Sequence, residues 1–219
     1  MSSMDISIKN LLPIPLKERL QNRSSDIWNR ELVLTGGTYA KVNAPSGSGK
    51  STLVHILYKL RHDYLGSVQY GDTNIQALSE DALAVLRQKH ISIVFQDLRL
   101  FPNLTARENI ALKRVLTEPV YPAEKIDEMA ELLGLDHVLN QPTSLCSYGE
   151  QQRIAIIRAL MQPFDWLIMD EPFSHLDKAN THKAAALIDV ECKKRNAGLL
   201  ITDLDTNEQH VAYEQVYQL

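Results

Sequence analysis

The stretch Ala44-Pro45-Ser46-Gly47-Ser48-Gly49-Lys50-Ser51-Thr52 restricts this chain more than any other. It follows Thr38 to Asn43, an apolar–polar run that reads as a strand. It precedes Leu53, Ile56, Leu57 and Leu60, spaced as one face of a helix. Strand, glycine-rich loop, Lys-Ser and helix, in that order, make a phosphate-binding loop. Gly47 and Gly49 can take backbone angles closed to other residues and let the chain wrap tightly around phosphate. The N–H groups so presented, with the positive end of the following helix, form an anion cradle. Lys50 would bring a point charge to the β- and γ-phosphates, and the Ser51 hydroxyl would ligate Mg²⁺. Ala44 stands where the usual pattern opens with glycine, the smallest replacement available.

The 219 residues fit one large domain, or one domain with a subdomain, and are ample for a core. A net charge of −4 gives no electrostatic case for nucleic acid as a partner. Cys146 and Cys192 make neither a disulfide framework nor a metal-spacing cluster, which suits a reducing cytosol. No apolar run approaches the ~20 residues needed to span a bilayer. Met1 to Asp5 carries no basic region ahead of an apolar core, so no secretory signal is expected. The expectation is a cytoplasmic protein whose membrane role comes through a partner.

Along the chain, Asp5 to Ile8 alternates like a strand. Pro13 and Pro15 then disfavour regular structure, and Arg19 to Ser25 reads as a polar loop. Ile27-Trp28 and Leu32 to Leu34 bracket a strand-like region that ends at the turn Gly36-Gly37. Gly66 to Tyr70 reads as a strand, followed by a turn at Gly71-Asp72. Ser79 caps a predicted helix running to about Gln88. Ile91 to Phe95 is a buried strand ending at Gln96. From Asp97 to about Met161 the pattern is mostly helical. Within it, Pro122 opens a helix whose residues Ile126, Met129, Ala130 and Leu133 share a face, and Gly134 stops it. Trp166 to Met169 and Leu199 to Ile201 are continuous apolar runs suited to central parallel strands. A helix spans Thr181 to Arg195, and the tail with Val211, Val216 and Leu219 has no clear pattern. Alternating strands and helices predict an α/β core with an inserted helical part.

Two further sites carry chemistry. Asp170-Glu171 follows a buried strand, where α/β sheets put ligand-facing groups. Asp170 reads as the carboxylate that holds Mg²⁺, and Glu171 is placed to polarise an attacking water. Cys146-Ser147-Tyr148-Gly149-Glu150-Gln151 runs into the apolar helix from Ile154 to Met161. Ser147 can cap that helix, and its hydroxyl, the Gly149 backbone and the helix dipole would form a second phosphate-facing surface.

Together these residues resemble the ATP-binding cassette (ABC) family of transport ATPases, in the family's order and over nearly the whole chain. Ser46, Gly47, Ser48, Gly49, Lys50, Ser51 and Thr52 match its Walker A motif, and Gln96, within Val94-Phe95-Gln96-Asp97, matches its Q-loop. Ser147, Tyr148, Gly149 and Glu150 match its signature. Asp170-Glu171-Pro172 matches Walker B with the catalytic glutamate, and Ser174 to Asp177 matches the D-loop. Size, Lys89-His90-Ile91, and Leu98 to Ile110 look most like the lipoprotein-release, macrolide-export and cell-division subgroup. The resemblance implies an ABC-ATPase core with a parallel sheet, a small antiparallel β subdomain and an inserted helical subdomain at about 97–161. It implies ATP and Mg²⁺ as ligands, with Ser51, Gln96 and Asp170 on the metal. It also implies a head-to-tail homodimer in which Ser147, Tyr148, Gly149 and Glu150 face the partner's nucleotide. A separately encoded permease would hold the protein on the inner face of the membrane.

The sequence departs from that family at several places. Cys146 replaces the usual signature Leu, and Tyr148 replaces a Gly, adding bulk near the trans nucleotide. No aromatic stands near Leu12 to Pro15 to stack on adenine, and Trp28 and Tyr39 lie close to the loop by spacing, so apolar contact is expected to hold the base. The family places a histidine at the position of Asp203, within Thr202-Asp203-Leu204-Asp205. An ionised Asp203 close to phosphate would repel it. Slow hydrolysis is therefore expected, and Asp203→His is predicted to raise turnover. His210, nearest in sequence, reads as a surface residue. The alternative is a slowly hydrolysing ABC protein acting as a regulatory nucleotide switch.

Overall fold

The buried runs at 166–169 and 199–201 become adjacent strands of one parallel sheet, and the rest of the chain packs on its two faces. The computed structural model describes residues 4–20, 24–116, 118–204 and 210–219. Met1 to Ser3, part of the expected polar loop at 21–23, and Asp205 lie outside the described residues. In chain order the elements are β1 (Ile6–Pro13), α1 (Lys17–Leu20), β2 (Glu31–Leu34), β3 (Tyr39–Asn43), α2 (Lys50–Leu57), β4 (Tyr64–Tyr70), β5 (Thr73–Asn74) and α3 (Glu80–Lys89). They continue with β6 (Ile91–Val94), α4 (Ala106–Leu116), α5 (Lys125–Leu132), α6 (Tyr148–Leu160), β7 (Trp166–Asp170), α7 (Lys178–Arg195), β8 (Gly198–Asp203) and β9 (Gln215–Gln218).

The parallel sheet has the order β6-β7-β8-β3-β9, and an antiparallel sheet has the order β2-β1-β4-β5. Side chains of a strand alternate between faces, and here that alternation divides the core in two. Leu167 and Met169 of β7, with Leu199 and Ile201 of β8, pack against α4 to α7. Trp166, Ile168 and Leu200 pack against α2, α3 and the antiparallel sheet. Burial on both faces is why these strands read as unbroken apolar runs rather than alternating ones. Trp166 is fully buried, and a Cβ at Gly198 on the next strand would lie 2.7 Å from its ring, so that position admits only glycine.

Several expectations are corrected. Pro13 belongs to β1, where it pairs with Tyr64, because its fixed φ suits an extended strand end. A short 3₁₀ turn and α1 then occupy Ile14 to Leu20, including Arg19, where irregular chain was expected. Ile27-Trp28 is a turn rather than a strand, because the Ser25 hydroxyl accepts both backbone N–H groups at 3.1 and 2.9 Å. Helix α2 ends at Leu57, so Leu60 lies beyond it and is 38% exposed. Helix α5 starts at Lys125 rather than at Pro122, which instead accepts the Lys125 N–H in the preceding turn. The tail contributes β9, which pairs in parallel with β3. Such a partner is chosen by tertiary packing, not by local pattern.

The chain leaves β3, β6, β7 and β8 at the same edge of the sheet, because all are parallel. The phosphate-loop segment follows β3, Gln96 follows β6, Asp170-Glu171 ends β7 and Asp203 ends β8. The carboxyl edge of an open parallel sheet is where such folds bind ligands.

Candidate active site

Residues 44–49 wrap from β3 into α2. Gly47 has φ 76° and Gly49 φ 108°, conformations that favour glycine. At Gly49 there is a second reason: a Cβ would sit 3.1 Å from Leu16 and 3.2 Å from the Trp28 ring. Lys50 is 5% exposed. Its ammonium donates to the Ala44 carbonyl at 2.8 Å and the Pro45 carbonyl at 3.3 Å, and pairs with Glu171 at 3.3 Å. Ser48 Oγ donates to the Pro45 carbonyl at 2.6 Å, closing the loop from within.

The sequence-predicted residues from separate elements converge beside this loop. Ser51 Oγ donates to Gln96 Oε1 at 3.3 Å, and Gln96 Nε2 donates to Glu171 Oε2 at 3.2 Å. Ser51, Gln96, Glu171 and Lys50 therefore form one continuous polar chain. Asp170 lies beside it, 1% exposed, and accepts the Thr202 hydroxyl at 2.5 Å. Glu171 has φ 50°, unusual for a residue with a Cβ and costing roughly 1–2 kcal/mol. The surrounding structure enforces it. The Glu171 N–H donates to the Thr202 carbonyl at 3.0 Å, while its own carbonyl accepts Gln152 Nε2 and Ser174 Oγ, each at 3.1 Å. Backbone strain held in this way is a mark of functional sites.

The resulting cleft has a volume of about 330 Å³. It is lined by the loop and the start of α2, by Gln96 and Glu171, and by Leu16 and Arg19. Leu16 and Arg19 carry no motif, and sequence reasoning missed them. Their only signal is position, shortly after the region where an aromatic was sought. Gln152 was also missed. It sits in α6 and touches both Glu171 and, through its Oε1, the His175 N–H at 3.2 Å.

The residues 147–150 lie apart from this cleft and do not line it. Ser147 caps α6 in a reciprocal box: its Oγ accepts the Glu150 N–H, and Glu150 accepts the Ser147 N–H at 2.7 Å. Burial raises the Glu150 carboxyl, but the Ser147 hydroxyl and N–H, with His137, outweigh it and hold the carboxyl below its ordinary value. A Cβ at Gly149 would lie 3.0 Å from the His175 carbonyl, so the segment at 174–177 needs a small residue there. Tyr148 does not simply point outward. Its hydroxyl donates to the Gln96 carbonyl at 3.0 Å, and its ring meets His175 edge-on at 4.4 Å. Asp177 caps α7 by accepting the Asn180 N–H at 2.8 Å, and that hydrogen bond holds its carboxyl below the ordinary range.

Asp203 is not isolated. Its carboxylate lies 3.2 Å from the ammonium of Lys41. His210 is no open surface residue: its side chain is 11% exposed, meets the Phe173 ring edge-on at 4.6 Å between centroids and comes within 4.0 Å of Asp203.

Residues 30–174 match the ABC transporter family. The chain is 35% identical over 184 residues to the lipoprotein-releasing system ATP-binding protein LolD of Legionella pneumophila (strain Lens), a match covering 83% of this chain and 80% of that protein. Against LolD of Geobacter metallireducens the identity is 37%, with the same coverage. The macrolide export ATP-binding/permease protein MacB of Bdellovibrio bacteriovorus is 31% identical over 183 residues, but the match spans only 28% of that longer protein. Among solved structures, the dimeric ATP-binding cassette MJ0796 in a post-hydrolysis state, bound to ADP and Pi, superposes with a TM-score of 0.76 at 26% identity. That superposition covers 92% of this chain and 89% of the other.

Proposed function

The chain belongs to the ABC transporter family of ATP-binding, ATP-hydrolysing subunits, and we propose that its cleft hydrolyses ATP through the polar chain Ser51-Gln96-Glu171-Lys50. In this reading residues 46–52 hold the phosphates, with the loop N–H groups and Lys50 as the anion-binding elements. Glu171, fixed between Lys50 and Gln96, takes the proton of the attacking water. The linked hydroxyl of Ser51 and amide oxygen of Gln96, with buried Asp170 beside them, are oxygen donors of the kind Mg²⁺ takes. Bound there, Mg²⁺ would neutralise charge developing on the phosphates.

Ser147, Tyr148, Gly149 and Glu150 serve a second copy of the chain in this proposal. The observation in favour is that they are exposed or half-buried and do not line their own cleft. Asp177 sits beside the same surface. Among the described residues no helix is long and apolar enough to cross a membrane. In this reading a permease partner anchors the dimer at the inner face of the membrane. Lipoprotein release and macrolide export are the activities for which these relatives are named, and a substrate of one of these kinds is proposed for the complex.

The observation that carries the reading is that three separate segments, the start of α2 and the ends of β6 and β7, deliver Lys50, Ser51, Gln96 and Glu171 to one polar chain. Glu171→Gln tests it. Turnover should fall by about 10²–10³, while ATP binding persists and light scattering shows an ATP-dependent dimer. Unchanged turnover would remove Glu171 from the chemistry. A variant that stays monomeric with ATP, even beside the permease, would remove the sandwich. The regulatory-switch reading draws on Asp203 and expects ATP-driven dimerisation with turnover too slow to measure in the native chain.

A further inference from the structure

Lys41 is the unexpected residue of the central sheet. It lies in the middle of β3, between Ala40 and Val42, and is 2% exposed. Lysine is almost never buried to this extent unless paired, because desolvating an ammonium is expensive. The Lys41 ammonium meets the Asp203 carboxylate at 3.2 Å across the β3–β8 pair. Asp203 is itself 79% covered, so the pair lies largely out of water, where charges interact strongly.

The location gives the pair a consequence. Asn43 and Asp203 are register partners, and the Ala44 N–H, the first of the phosphate loop, donates to the Asp203 carbonyl at 3.1 Å. One residue earlier, Thr202 accepts the Glu171 N–H through its carbonyl and binds Asp170 through its hydroxyl. Asp203 is thus built into the same strand edge as both acidic residues of the cleft. Its carboxylate also comes within 4.0 Å of His210, whose ring meets Phe173, two residues beyond Glu171, edge-on. An unbalanced third carboxylate at this edge would oppose a triphosphate.

We propose that Lys41 and Asp203 act as one electrostatic unit: Lys41 offsets the charge of Asp203 at the carboxyl edge of the sheet, where the cleft lies, and steadies the β8 end that accepts the Glu171 N–H. Lys41 is a positioning residue in this scheme, since it acts on the nucleotide through Asp203. The inference rests on the reading of this cleft as the ATP site. It also alters the expectation for Asp203→His: an imidazole would remove the carboxylate from beside a buried ammonium, so that single change should not raise turnover unless Lys41 is neutralised with it.

The test is a double-mutant cycle on the full chain with Lys41→Met, Asp203→Asn and the pair together. The readouts are turnover, thermal stability, and the affinities for ATP and for ADP. Lys41→Met should weaken ATP binding by about tenfold while changing ADP affinity little, because the added negative field acts mainly on the terminal phosphate. Turnover should fall with it. The double variant should regain most of both, and Lys41→Arg should keep them. Additive effects in the cycle would overturn the proposal, as would equal losses for ATP and ADP or a fall in melting temperature with the ATP-to-ADP preference intact. Should Lys41→Met fail to fold, Asp203→Asn and Lys41→Arg carry the test, and an ATP-to-ADP preference unmoved by Asp203→Asn would overturn it. If the native chain binds neither nucleotide, the reading of the cleft falls and the inference with it. If it binds both and the cycle is additive, the inference alone falls.

Discussion

The cleft below β3 and the surface at the start of α6 differ in how completely each is built within one chain. In the cleft, Lys50, Asp170 and Glu171 are all buried, and each has hydrogen-bond or ion-pair partners. At the start of α6 the backbone is equally well fixed, by a capping box, yet the groups stand at the surface and line no cleft. Burying charge requires partners at short range, so a buried site must be assembled within the chain that carries it. A surface held rigid but without an internal ligand space is the form expected of half a site. On the proposed reading, one chain binds nucleotide and the second half of the site comes from another copy. Tyr148 joins the two regions through its bond to the Gln96 carbonyl.

The largest effect should come from breaking the cleft itself. Lys50→Ala removes the cation at its centre, and ATP affinity should fall on the order of a hundredfold. Titration with a fluorescent ATP analogue measures this. Unchanged affinity would mean that the two regions do not differ as described.

A smaller change sharpens the comparison at its junction. Tyr148→Phe deletes the hydroxyl that holds Gln96 and keeps the ring on His175. Stability should drop by about 1 kcal/mol in chemical denaturation, with ATP affinity unaffected. A clear change in ATP affinity would show that the α6 surface acts on the cleft within one chain.

The smallest effect concerns the cap alone. The folded Glu150 carboxyl titrates below its ordinary value, so the stability it lends to α6 is present above the ordinary glutamate range. It is lost as pH falls through the lowered folded value. Glu150→Gln should therefore lower neutral stability slightly and flatten the acid limb of the stability–pH profile, with little change below the lowered folded value. An identical acid limb in both proteins would mean that the box contributes nothing.

Some of this could be read from the sequence because the physics is local. The phosphate loop is contiguous: Gly47 and Gly49 announce positive φ, and Lys50-Ser51 follow at fixed spacing. The caps at Ser79, Ser147 and Asp177 are also local, since each side chain binds an N–H three residues on. The unbroken apolar runs of β7 and β8 signalled strands covered on both faces. Leu16, Arg19 and Gln152 belong to no such pattern. They reach the site only through the path of the chain between β1 and β2 and through the packing of α6 behind β7.

The sequence by itself determined that this chain carries a glycine-rich loop of the phosphate-binding kind between a strand and a helix, with two acids at another strand's end. That follows from residue types at short, fixed separations. Tertiary structure alone decided the electrostatic surroundings of that loop. Asp203 read in isolation is an anion set against phosphate, yet strand order puts β8 beside β3 and the carboxylate beside Lys41. Tyr148 read in isolation is bulk in a motif that wants glycine, yet its hydroxyl finds the Gln96 carbonyl 52 positions away. A charge or a hydroxyl has a meaning set by what lies within a few ångströms, and between distant segments that distance is fixed by the sheet, not by the chain.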